Sequence, residues 1–213
     1  MKSPIRKPRP FSAQAMAIVA VAVGIACMVA VSAVAANHVN HTATPPAFAV
    51  YLQPPAAPVL DAAGVAQVRR ILEGRRFIVV ADASALETAV AASRPQSIWV
   101  HRSALPSVSP AWLRDRLAGG AVIVAIDVSR GELVPILRVD GGSTPDWNPP
   151  NRSTFVAVGQ ALNVPYTNAA GEPASRGGTT IANDAFDPRN PAYLVGMVER
   201  VIERVREIYG ESR

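Results

Sequence analysis

The chain has 213 residues, 49% of them apolar and 17% charged, a composition that fits a folded domain with an added segment and rules out disordered or collagen-like classes. Its formal charge of +5 looks like a nucleic-acid signal, but Lys2, Arg6, Lys7 and Arg9 supply four of those charges, leaving 17 arginines against 16 acids. A nearly neutral body with dispersed arginines has no stripe to neutralise phosphates, so nucleic-acid binding is disfavoured despite a pI near 10.0.

A basic segment, residues 1–14, leads into residues 15–36, which carry no charge. At ~1.5 Å per residue this run makes a helix of ~33 Å, enough to cross the ~30 Å hydrocarbon layer. Four cations precede the run and no charged residue follows it before Asp61. That asymmetry predicts a single-pass signal anchor, with residues 1–14 in the cytoplasm and the rest extracytoplasmic in the cell envelope. A cleaved signal peptide is the competing reading, since Ala33-Val34-Ala35 and Val34-Ala35-Ala36 offer small residues at a cleavage position, but the apolar run is longer than a secretory core. The lone cysteine, Cys27, sits inside this run and reads as a buried helix residue, not a lipid-attachment site.

Residues 37–60 change character, with Pro45-Pro46, Pro54-Pro55 and Pro58 among Asn, Thr, Gln and Ala. Proline fixes φ and removes backbone donors, so an extended linker is expected here, with Phe48 and Tyr51 as ordinary linker aromatics. Asn40-His41-Thr42 and Asn151-Arg152-Ser153 match the short glycosylation pattern.

From Asp61 to the end, helical patterns alternate with apolar runs, and residues 61–213 are expected to form one α/β domain. A helix over 62–73 ends at Gly74. Phe77-Ile78-Val79-Val80-Ala81, Ile98-Trp99-Val100 and Ala121-Val122-Ile123-Val124-Ala125-Ile126 are continuous rather than alternating, the pattern of parallel strands buried on both faces. Between them, Ser84 with Glu87 predicts a capping box, and Ser109-Pro110 predicts a helix that ends at Gly119-Gly120. With right-handed crossovers, this spacing predicts a three-layer Rossmann-like or flavodoxin-like parallel sheet. Ser129 with Glu132 suggests a short helix limited by Pro135, and residues 155–158 read either as a fourth strand or as a helical turn.

Residues 139–190 are rich in Gly, Pro, Asn, Ser and Thr and read as a lid or mobile ornament. Within them Gly177-Gly178-Thr179-Thr180 beside Arg176 offers an anion nest, against the alternative of a solvent loop; Asp184 and Asp187 offer calcium ligands, against the alternative of turn caps. The last helix, residues 191–209, carries Leu194, Val198, Val201, Val205 and Ile208 on one stripe, expected to pack on the domain's own sheet rather than in a coiled coil.

The expected carboxyl ends of the strands bring Asp82, His101, Arg102, Asp127 and Ser129 to one edge, where open α/β sheets collect ligands. Ser129, His101 and Asp127 or Asp82 are the ingredients of a serine-type hydrolase. The competing reading makes Ser129 a helix cap paired with Glu132 and leaves Asp82 just ahead of the capping Ser84; Asp127-Val128-Ser129-Arg130-Gly131 also lacks the first glycine of a nucleophile elbow. Arg102 and Arg176 are candidate binding residues. Both lysines lie in the first seven residues, which excludes Schiff-base and Walker-type chemistry from the body. No His-x-x-x-His pair and no strand followed by Gly-x-Gly-x-x-Gly is present, so neither a metal nor a cofactor is expected.

Ser109-Pro110-Ala111-Trp112-Leu113, then Leu117 and Gly119-Gly120-Ala121-Val122-Ile123-Val124, resembles the helix-glycine-strand unit of the glutamine-amidotransferase-like superfamily, and residues 62–130 are similar to it in layout. The resemblance implies the fold of that superfamily without its amidotransferase chemistry, as in noncatalytic membrane-anchored relatives. Members with the activity need a cysteine at a strand-to-helix elbow and a later histidine, and neither occurs after position 101. If 155–158 is the matching strand, Gly159-Gln160-Ala161 puts alanine where the nucleophile would stand. A membrane-tethered domain that binds or scaffolds is therefore expected, with a hydrolase or a structural partner of another envelope protein as alternatives.

Overall fold

The computed structural model describes residues 46–53, 56, 58–140 and 152–209, of which 163–166, 176 and 209 are described through the backbone alone. The expected anchor over 15–36, the residues before and after it up to 45, both glycosylation asparagines and the Arg176 side chain lie outside the described residues. Among those described, no helix is long and apolar enough to cross a membrane.

The elements run β1 (Ala49–Leu52), α1 (Ala62–Ile71), β2 (Phe77–Val80), α2 (Ala83–Ser93), β3 (Ser97–His101), a 3-10 turn (Leu105–Ser107), α3 (Pro110–Ala118), β4 (Val122–Ile126), α4 (Arg130–Leu137), β5 (Ser153–Thr167), β6 (Pro173–Phe186) and α5 (Ala192–Tyr209). They build one six-stranded mixed sheet in the order β2-β1-β3-β4-β5-β6. The first four strands are parallel, and β5 and β6 run antiparallel. Successive strand residues point to opposite faces. Tyr51, Trp99, Val124 and Phe155 pack under α1 and α5, while Val50, Ile98, Ile123 and Val156 pack under α2, α3 and α4. Burial on both faces is what makes the parallel strands continuous apolar runs.

Three expectations are corrected. The first concerns the linker: its segment Ala49–Leu52 is β1, fully buried and paired in register with both β2 and β3. Phe48 and Tyr51 are accordingly core residues packed edge-on against Trp99 at 6.2 and 6.0 Å. In the sequence, the proline pairs fall outside the four ladder residues, so none of them has to donate to the ladder. Ser97 joins β1 to β3, donating its hydroxyl to the Phe48 carbonyl (2.8 Å) and accepting the Trp99 indole N–H (2.9 Å), so the buried ring has its polar atom satisfied.

The second correction concerns residues 139–190. From Ser153 onward they form the β5–β6 hairpin and not a lid, and Phe155 to Val158 is strand, paired antiparallel with β4. Gly177-Gly178-Thr179-Thr180 is neither a nest nor a loop but part of β6. Gly178 pairs with Ala161, and a Cβ on Gly177 would stand 2.7 Å from the Ala161 carbonyl oxygen. The third is a cap: α2 starts at Asp82, whose carboxylate accepts the Ala85 amide at 2.8 Å, instead of at Ser84.

Elsewhere local rules hold. Ser109 caps α3 with Pro110 at the first helical position, and Gly120 takes φ +89 after the helix. In α4, the helix ends at Leu137, two residues after Pro135, and its C-cap Arg138 takes the left-handed region at φ 55. Leu194, Val198, Val201 and Val205 of α5 are buried against the chain's own sheet. The fit leaves no room at Gly159, where a Cβ would lie 2.5 Å from Val205 and 3.0 Å from Val201.

Candidate functional site

At the carboxyl ends of β3 and β4 the chain turns sharply, and the turns bring His101, Arg102, Ser103 and Asp127 together. Asp127 adopts φ 57, a left-handed conformation that Asp tolerates better than most residues. This bend lets Asp127 close the β4–β5 ladder twice: its amide donates to the Thr154 carbonyl at 2.8 Å, and its Oδ1 accepts the Thr154 amide at 3.0 Å. Oδ2 stands 3.4 Å from His101 Nε2.

His101 is 8% exposed, and its imidazole is held from its other side as well. Ser103 Oγ lies 2.7 Å from Nδ1, and the Ser103 amide donates to Nδ1 at 3.2 Å. An accepting Nδ1 assigns the proton of the neutral ring to Nε2, facing Asp127. Hydroxyl, imidazole and carboxylate thus stand in the order of a nucleophile, base and orienting group.

Ser129 is not the hydroxyl in this set. It caps α4: Ser129 Oγ accepts the Glu132 amide at 3.2 Å, and the Glu132 carboxylate accepts the Ser129 amide at 2.8 Å, a reciprocal capping box. Arg102 donates from Nη2 to Glu132 at 2.6 Å and from Nε to the Asp127 carbonyl. Bonds from the Ser129 amide and hydroxyl, followed by the Arg102 charge, hold the Glu132 carboxyl below its ordinary range. Asp82 is likewise occupied in capping α2.

Two residues belong here that the sequence did not mark as site residues. Tyr51, on β1, is fully buried, and its hydroxyl has no hydrogen-bond partner among the described residues. Burial, and then the Asp127 carboxylate, push its pKa above the ordinary phenol value. Ser103 was missed too, because only the turn after β3 folds its hydroxyl back onto Nδ1.

Between Asp127, Ser129, Arg102, Thr154, Asn183 and Asp184 lies a cavity of ≈ 60 Å³. Ligand pockets usually enclose roughly 300–1,000 Å³, so this space suits a few waters. Asp184 accepts the Tyr193 hydroxyl at 2.7 Å, and Asp187 accepts the Arg189 amide at 2.9 Å, so both are engaged in local bonds. No group of three metal-ligating side chains occurs among the described residues. Gly159-Gln160-Ala161 runs inside β5, with no strand-to-helix elbow. No family model, curated protein or solved structure matches the chain.

Proposed function

We propose that this is a membrane-anchored extracytoplasmic domain that binds or scaffolds rather than catalyses. The observation that carries the reading is the use made of the strand-end polar groups: Asp82 and Ser129 cap helices, Arg102 is tied to Glu132, and Asp127 latches β5 to β4. Groups spent on folding in this way stabilise the edge of the sheet instead of meeting a substrate. The order β2-β1-β3-β4 is that of flavodoxin-like doubly wound sheets, which supports the Rossmann-like assignment, while the resemblance to noncatalytic glutamine-amidotransferase-like domains rests on the sequence layout of residues 62–130 alone. The anchor and its orientation rest on the charge asymmetry around residues 15–36.

Fusions made after Thr44, ahead of β1, test the topology: a reporter active only outside the cytoplasmic membrane should work, and activity of an inside-only reporter refutes the orientation. A second reading, hydrolysis of esters, is favoured by one observation, the Ser103-His101-Asp127 polarity. It predicts turnover of an activated ester that falls ~10²- to 10⁴-fold on His101→Ala. The binding reading predicts no turnover that depends on His101.

A further inference from the structure

At the opposite end of the sheet, where the parallel strands begin, three helices end around a shallow cleft of ≈ 590 Å³. Arg94 follows α2, Arg116 lies in the last turn of α3, and Arg206 lies in the last turn of α5; all three line the cleft and are exposed. Arg116 stacks over Trp112 at 5.8 Å, and none of the three has an ion-pair partner among the described residues. Arg69, Arg70 and Arg76 are exposed at the same end. The acids there are fewer: Asp115 shares the cleft wall, Glu73 and Glu203 are exposed, Glu199 is taken by Arg75 and Glu207 by Arg204. Cations at helix carboxyl ends offset the helix dipole, which accounts for each arginine singly. The topology brings all three helix ends to this edge of the sheet, and there the arginines share one concave surface.

Pro46 is also part of that wall. Only the nine residues 37–45 separate it from the end of the apolar run, a reach of at most about 35 Å even when fully extended. We infer that the Arg94-Arg116-Arg206 cleft docks on the phosphate headgroups of anionic phospholipid in the membrane that holds the anchor. This rests on the anchored reading proposed above. Short tethering raises the local concentration of headgroups at the cleft, so contacts that are weak singly become effective together. Removing the three arginines lowers the docking equilibrium constant about 100-fold, from roughly fivefold per cation at an anionic surface.

The test uses the full chain in nanodiscs of phosphatidylcholine alone or mixed with phosphatidylglycerol. In a Cys27→Ala background, a donor dye is placed at Ala92→Cys or, at the other end of α2, at Ser84→Cys, with an acceptor on headgroups. Energy transfer should be higher from position 92 than from 84 in anionic discs, by a margin well beyond the one that the tether alone leaves in phosphatidylcholine. The variant Arg94→Gln/Arg116→Gln/Arg206→Gln should lose that excess, and the corresponding triple lysine variant should keep most of it. Equal transfer in both lipids with the chain retained refutes the docking. Competition by inorganic phosphate beyond that of chloride at equal ionic strength also refutes it, since the cleft would then take the free ion. If the chain does not stay in the discs, the anchor reading fails instead; anionic vesicles added to the released chain then report on the cleft, and absence of transfer to them refutes the docking as well.

Discussion

Replacing Tyr51 by Phe should make the protein more stable. The tyrosine ring is fully buried, 6.3 Å from Phe77 and 6.0 Å from Trp99, and both contacts survive in phenylalanine. What disappears is a hydroxyl with no partner among the described residues. A buried unsatisfied polar group costs about 1–3 kcal/mol, whereas the void left by one oxygen costs only a few tenths of that, so a net gain of about 1–2 kcal/mol is expected. Burial first, and the Asp127 carboxylate second, raise the folded-state pKa of this phenol above its ordinary 10.0. A raised pKa gives stability that is whole below pH 10.0 and is lost as the pH climbs toward the folded value, at up to about 1.4 kcal/mol per pH unit. Urea unfolding at neutral pH and above pH 10 separates the two effects. Tyr51→Phe should shift the midpoint upward at neutral pH and should flatten the alkaline decline. A loss of about 1 kcal/mol at neutral pH would refute the reasoning, because it would mean that the hydroxyl has a partner.

The remaining predictions concern the sheet and its edge. Gly159→Ala should cost about 1–3 kcal/mol in urea unfolding, because its methyl would meet Val205 at 2.5 Å, and Val205→Ala should recover much of the loss in a double-mutant cycle. Asp127→Ala should be more destabilising than Asp127→Gly by about 1 kcal/mol, since both lose the Thr154 latch but only glycine fits φ 57 without strain; equal losses in thermal unfolding would count against that backbone argument. Ser129→Ala should cost about 1 kcal/mol by removing the cap of α4. Because the Glu132 pKa is lowered from 4.5, the contribution of that carboxylate is present above pH 4.5 and lost as the pH falls further; the acid limb of a stability profile should be shallower in Glu132→Gln.

Where the residues alone decided the structure, the sequence was readable. β2, β3 and β4 announced themselves as unbroken apolar runs, and Ser109-Pro110 and the α5 stripe marked their helices. Only four residues long and set between proline pairs, β1 was hidden by the composition around it; its identity comes from burial between β2 and β3. The β5–β6 hairpin was hidden differently. Its glycines, prolines and asparagines have little strand preference, and the ladder between the two strands supplies what propensity lacks. Of the site, His101 and Asp127 could be placed at strand ends by counting. The partnership with Ser103 could not, because it depends on a turn that folds the hydroxyl back onto Nδ1. Asp82 displaced Ser84 as the cap of α2 since either side chain suits that position and only backbone geometry chooses.

The central claim, an anchored domain whose strand-end hydroxyls do not react, is tested most directly by one mass spectrum. The full chain is extracted from membranes after treatment with a fluorophosphonate, which modifies activated serines, and its intact mass is recorded. A single unmodified species retaining residues 1–36 is predicted. A stoichiometric adduct on Ser103 that vanishes in His101→Ala would contradict the binding reading, and a mature chain beginning near Asn37 would contradict the anchor.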